Sequence, residues 1–283
     1  MVSMAPTRRV FLASAASAAL ASAKSLSTIG VQLYTLRSVL PEKPLETLRE
    51  LESIGYKEVE AVGGSIGRIW DSLKQTSLKP VSLHLDTSLF LRQQEKLPAA
   101  LEDAAQRGFR YVVCPYIGPQ DRGGVAVIER MAAVLNQAGE KCRAAGMTLA
   151  YHNHAFEFEA AGEGTLLDVL FKNTDQKLVT LELDMFWAQV AGVDPVSLLE
   201  KHKGRVPLMH LKDLKAGAEK RLNEGVPRDW FMEVGKGSIN VAAVLRAAEK
   251  CGVKHFFVEQ DQTSGPAIES LRASFDYLRK LSY

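Results

Sequence analysis

From Leu26 onward, short apolar runs rich in β-branched residues alternate with longer stretches whose apolar positions recur at helical spacing. Eight runs read as strands: Ile29–Leu33, Glu58–Ala61, Pro80–Leu85, Tyr111–Cys114, Thr148–His152, Val179–Asp184, Pro207–Leu211 and His255–Glu259. Helices are expected at Leu45–Ile54, Leu97–Arg107, Val125–Ala145, Pro195–His202 and Val241–Cys251. A last one, Ala267–Leu281, lines up Ile268, Leu271, Phe275, Leu278 and Leu281 as a docked amphipathic stripe. Gly55, Gly108, Gly146 and Gly252 stand where helices give way to strands, positions that favour a left-handed cap. The short helix-to-strand links favour parallel strands over hairpins. Eight β/α units in about 250 residues match the count and size of a closed (β/α)8 TIM barrel. An open doubly wound sheet is the alternative, but no Gly-rich dinucleotide loop follows the first strand. The expectation is an α/β protein with one barrel domain over residues 24–283.

Composition changes that picture little, except at the start of the chain. Lys plus Arg number 35 against 33 Asp plus Glu, and the excess is Arg8 and Arg9. Without residues 1–23 the balance is 33 against 33, which leaves no basic surplus for nucleic acid. Thr7-Arg8-Arg9-Val10-Phe11-Leu12, an Ala/Ser/Leu run and Ala21-Ser22-Ala23 resemble a bacterial twin-arginine export signal with a small-residue cleavage site. The run is too short and too Ala/Ser-rich for a comfortable transmembrane span. A periplasmic protein without stable membrane insertion is therefore expected. Cys114, Cys142 and Cys251 are odd in number and lack CxxC spacing, so neither a disulfide framework nor a structural zinc site is indicated.

In a barrel the chemistry belongs at the C-terminal ends of the strands. Alternation points Thr180, Glu182 and Asp184 inward, and likewise Leu208, His210 and Lys212. Phe257, Glu259 and Asp261 share one side of the last strand, and Ala150, His152 and His154 one side of the fifth. His152, Asp184, His210 and Glu259 thus meet near one level. Imidazoles with carboxylates suit one divalent ion, Mn²⁺, Mg²⁺, Co²⁺ or Zn²⁺. Burying several unpaired ionisable groups is costly, which weighs against a merely structural network.

The strand ends Val81-Ser-Leu-His84-Leu-Asp86, Tyr151-His-Asn-His154, Leu183-Asp184-Met-Phe-Trp187 and His210-Leu-Lys-Asp213 resemble the sugar phosphate isomerase/epimerase group of xylose isomerase-like barrels. So do Val234-Gly-Lys-Gly237 and Val258-Glu259-Gln-Asp261, and the similarity spans residues 28–281. The resemblance implies one divalent metal held by Glu, Asp, His and Glu from the later strands. Asp184, His210 and Glu259 match the second, third and fourth of these. The first glutamate is missing: strand geometry favours His152, and the family's chemistry favours Glu157 in His154-Ala-Phe-Glu157. Glu157 is assigned as ligand, with His152 as the alternative. Trp187 stands where isomerase relatives carry a substrate-binding histidine, as a sugar-stacking wall or as core.

The activity implied is isomerisation or epimerisation of a keto-sugar or sugar derivative through an enediolate. Glu259 is one acid/base and Glu157 or His152 the other, with His84, His152, His154, Trp187 and Lys212 touching substrate. Gln32, Tyr34 and Arg37 are further candidates for the pocket wall. The same site also supports a lyase or hydratase acting on 3-keto-glycosides, and the missing glutamate leaves room for a non-catalytic sugar-binding barrel. An abasic-site endonuclease needs clustered zinc ions and a basic groove, which six histidines and a balanced charge do not supply. The resemblance also implies a homo-oligomer, since barrels of this group often form dimers or tetramers.

Overall fold

The structure, a computed structural model, describes residues 24–283, and the export-signal expectation for residues 1–23 lies outside them. All eight expected strands form: β1 (Gly30–Gln32), β2 (Glu58–Val62), β3 (Lys79–His84), β4 (Tyr111–Cys114), β5 (Thr148–His152), β6 (Val179–Asp184), β7 (Leu208–Leu211) and β8 (His255–Val258). Consecutive strands pair in parallel, and β8 closes on β1 with Gly30 opposite Phe257. The outer helices are α1 (Pro44–Ile54), α2 (Gly63–Leu73), α3 (Leu97–Gln106), α4 (Val125–Ala144), α5 (Leu166–Lys172), α6 (Pro195–Lys201), α7 (Val241–Cys251) and α8 (Ala267–Lys280). The fold is the expected (β/α)8 barrel. All four predicted cap glycines have positive φ, from +76° at Gly146 to +122° at Gly55.

Two helices go beyond the sequence reading. α2 begins at Gly63-Gly64 with no side-chain cap. α5 is short but starts on a reciprocal capping box, in which the Thr165 hydroxyl accepts from the Asp168 amide and Asp168 accepts from the Thr165 amide. Short antiparallel pairs decorate the strand ends, Ala160–Ala161 with Gly164–Thr165 and Asp213–Leu214 with Phe231–Met232.

Period-two alternation divides the strands between two cores. Val59, Leu83, Leu149, Leu181, Met209 and Phe256 face the helices in the main core. Val81, Tyr111, Val113, Ala150, Leu208 and Phe257 form a separate apolar floor inside the barrel. Gly30 makes room for that floor: a Cβ there would lie 2.5 Å from the Phe257 ring. Toward the C-terminal ends, the inward positions change from apolar to ionisable. The three cysteines are all buried and free. No helix among the described residues is long and apolar enough to cross a membrane.

Candidate active site

β5, β6 and β7 deliver His152, Asp184 and His210, and Glu259 follows β8 by one residue. All four are buried, and one ligand atom of each lies within 4.8 Å of the others. His152 Nε2 is 3.6 Å and His210 Nδ1 3.8 Å from Asp184 Oδ2. Ligands about 2.1 Å from a tetrahedral ion stand roughly 3.4 Å apart, so these spacings suit a metal. His210 Nδ1 is closer to Glu259 Oε2, at 2.9 Å, which is a hydrogen-bond length. Asp184 Oδ2 is fully buried and pairs with the Lys212 ammonium at 2.7 Å. The donor set fits a divalent cation.

Lys212 completes the ring's charge pattern. Its Nζ donates to Glu259 Oε2 at 2.6 Å and to Asp261 Oδ2 at 2.9 Å. Burial opposes its charge, but Asp184, Asp261 and Glu259 outweigh that and hold it protonated. In return, Lys212 and His210 overcome burial and hold Glu259 well below the usual carboxylate range. Burial pushes Asp184 up, against the pull of Lys212.

A second polar layer lies beneath the ring. Glu60 from β2, His84 from β3 and Glu182 from β6 are all buried. His84 Nε2 sits 2.9 Å from Glu60 Oε1 and 2.7 Å from Glu182 Oε2. Burial works against protonating His84, but the two carboxylates prevail and raise it to about 9. Burial and the nearby Glu60 push Glu182 up to about 7. Glu60 was not among the sequence candidates, yet the signal exists: a glutamate inside Glu58-Val-Glu-Ala-Val62, a strand that a parallel barrel buries on both faces.

The structure brings His152, and not Glu157, to the ring. Glu157 lies on a single turn, Phe156–Phe158, that folds back behind the strand end. There its carboxylate accepts from the Tyr151 hydroxyl at 2.7 Å and from the His154 amide at 2.9 Å. Tyr151 belongs to the core under the helices, so Glu157 sits outside the barrel wall and not on the pocket. Burial pushes Glu157 up to about 8.

Above the ring opens a cavity of about 530 Å³. His84, His152, His154, Trp187, Glu259, Tyr34 and Arg37 line it, as the sequence suggests; Gln32 and Lys212 lie deeper. Tyr116, Glu224, Phe231 and Asp261 also line it. His154 packs between Tyr116, at 4.6 Å, and Trp187, at 5.3 Å, and Phe231 meets the indole edge-on. Trp187 is thus both pocket wall and cap partner, because its amide donates to Asp184 Oδ1 at 3.0 Å. Burial and the Lys212 charge keep His154 neutral, and its Nδ1 has no partner.

A closed barrel with two histidines and two carboxylates at its strand ends defines a (β/α)8 protein whose side-chain cluster could hold a metal ion. The chain belongs to the Xylose isomerase-like TIM barrel family, whose model matches residues 48–281. An inosose dehydratase from Geobacillus thermodenitrificans is 28% identical over 156 residues, 52% of each chain. The chain thus spans about half the length of the curated relatives it matches. A sugar phosphate isomerase/epimerase from Parabacteroides distasonis superposes with a TM-score of 0.74 at 24% identity, over 90% of this chain and 98% of that one. The IolI protein with a bound zinc atom gives a TM-score of 0.67 at 16% identity, covering 89% and 97%.

Proposed function

We propose that this protein is a divalent-metal-dependent isomerase or epimerase of a keto-sugar or sugar derivative, working by proton abstraction next to the carbonyl. The observation that carries the reading is the ring of His152, Asp184, His210 and Glu259 opening into an aromatic-walled cavity. These four residues would hold the ion, and the zinc atom in a structural neighbour supports a divalent metal as the kind of ion. A divalent ion there supplies Lewis acidity to a ketone and its neighbouring hydroxyl, stabilising enediolate charge.

The chain's own residues supply the rest. Glu259 is held ionised at the cavity floor and takes the proton from the carbon next to the carbonyl. Lys212, bonded to Glu259 from below, fixes that carboxylate in place and keeps it ionised. Neutral His154 stands on the wall formed by β5, three strands from β8, and exchanges a proton on another face of the sugar. Trp187, Tyr116 and Phe231 give that wall the apolar surface on which a sugar face stacks.

Elimination is the second reading, favoured by the inosose dehydratases among the relatives. The metal-loaded protein, incubated in D₂O with ketoses, a keto-inositol and a 3-keto-glycoside, separates the two by NMR. Deuterium at the carbon next to the ketone, with inverted configuration or a shifted carbonyl, supports the proposal; loss of water or aglycone means a lyase. Glu259→Gln should lower either rate at least about 100-fold. Metal-loaded protein that exchanges no deuterium with any of them is a sugar-binding barrel, and the proposal fails.

A further inference from the structure

An imidazole that binds a metal through one nitrogen carries its proton on the other, and whatever accepts that proton fixes the tautomer and the ring. The two histidines of the ring face opposite ways in this respect. His210 turns Nδ1 toward Glu259 and Asp184, and its Nε2 lies 2.5 Å from Glu60 Oε1. His152 turns Nε2 toward Asp184, and its Nδ1, buried and without a hydrogen bond, has Glu182 Oε2 3.2 Å away. The two carboxylates are themselves held in place. Gln32 Nε2 donates to Glu60 at 2.8 Å, and His84 Nε2 bridges Glu60 and Glu182. His84, His152, Glu182 and His210 also come within ligand distance of one another. Within that set the His84 Nε2–Glu182 Oε2 contact, at 2.7 Å, is a hydrogen-bond length, and Glu60, outside it, lies 2.5 Å from His210 Nε2 and 2.9 Å from His84 Nε2. The lower layer thus ties His84 and His210 to Glu60 and Glu182.

We propose that Glu60 and Glu182 are positioning residues that select the metal-facing nitrogen of each histidine ligand, Nδ1 of His210 and Nε2 of His152. The inference rests on the metal reading above. It is tested by stripping the full chain with EDTA and titrating Co²⁺, following the visible d–d bands. Wild type takes up one Co²⁺, whereas Glu60→Gln and Glu182→Gln bind it 10–100-fold more weakly with altered bands. Glu58→Gln disturbs a similar pair, His255 Nδ1 with Glu58 at 2.8 Å, at the N-terminal end of the barrel, and leaves Co²⁺ binding unchanged. Folded Glu60→Gln and Glu182→Gln proteins that bind Co²⁺ as tightly as wild type overturn the positioning role alone. A wild type that binds none overturns the metal reading itself. Should the variants fail to fold, ¹⁵N spectra of Zn²⁺-loaded wild type decide. Protons on His152 Nδ1 and His210 Nε2 support the inference, and any other pairing refutes it.

Discussion

Glu157 shows how five residues can separate a side chain of the ring from a wall support. Tyr151 faces the helices by strand alternation, and the turn at Phe156–Phe158 returns Glu157 to the same side. With its carboxylate buried and raised to about 8, the native chain keeps a proton there that the unfolded chain loses near its ordinary value of 4.5. Between those two values the native state binds more protons, so stability falls as pH rises, by an amount on the order of a few kcal/mol. Glu157→Gln removes that contribution. Its amide also fails to accept one of the two present hydrogen bonds, which costs about 1 kcal/mol at low pH. Thermal melts of the metal-free proteins from pH 5 to 8 should show a shallower decline in the variant. Parallel curves would mean that Glu157 is ionised in the native state.

At the scale of elements, two motifs that are separate in the sequence form one unit. Asp213, just past β7, accepts four backbone amides, from Leu214, Gly235, Gly237 and Ile239, and so clasps the Val234-Gly-Lys-Gly237 loop. A side chain at Gly237 would overlap the Asp213 carboxylate, which explains that glycine. Lys212 precedes Asp213 directly, so the clasp also fixes the site's cation. Asp213→Ala should cost about 3 kcal/mol, as buried amides lose a charged acceptor, and hydrogen exchange should quicken at 234–239 while α1 is unaffected. Unchanged protection at 235 and 237 would remove the clasp from the account. The strands are legible because short β-branched runs recur between helical stretches, and alternation turns Asp184, His210 and Glu259 to the one side where they cluster. α2 was not legible, because it opens on Gly63-Gly64 with no cap signal. Glu60 was hidden for another reason: its partners, His84 and His210, lie 24 and 150 residues away, and nothing local announces a long-range ion pair.

Taken whole, the barrel interior rises from an apolar floor through a hydrogen-bonded layer to the ligand ring and the cavity. Without an ion, the carboxylates of the upper levels keep their charge company with protons. Burial opposes protonation of His210, but Glu182, Glu259 and Glu60 hold it well above its ordinary value. A metal must displace that proton, so its affinity should rise about tenfold per pH unit through the neutral range, with one proton released per ion. Calorimetry in buffers of different ionisation heat measures the release, and an affinity that is flat from pH 6 to 8 would show His210 already neutral. Because the four proposed ligands come from four adjacent strands, metal binding would also tie that half of the barrel together. At a free ion concentration 100 times the Kd, the folded state gains about 2.7 kcal/mol, which for a chain of this size raises Tm by roughly 5–10 °C. Asp184→Ala and His210→Ala should both abolish that rise, together with the bound ion measured by metal analysis. A Tm gain that survives in both variants would place the ion somewhere other than the ends of β6 and β7.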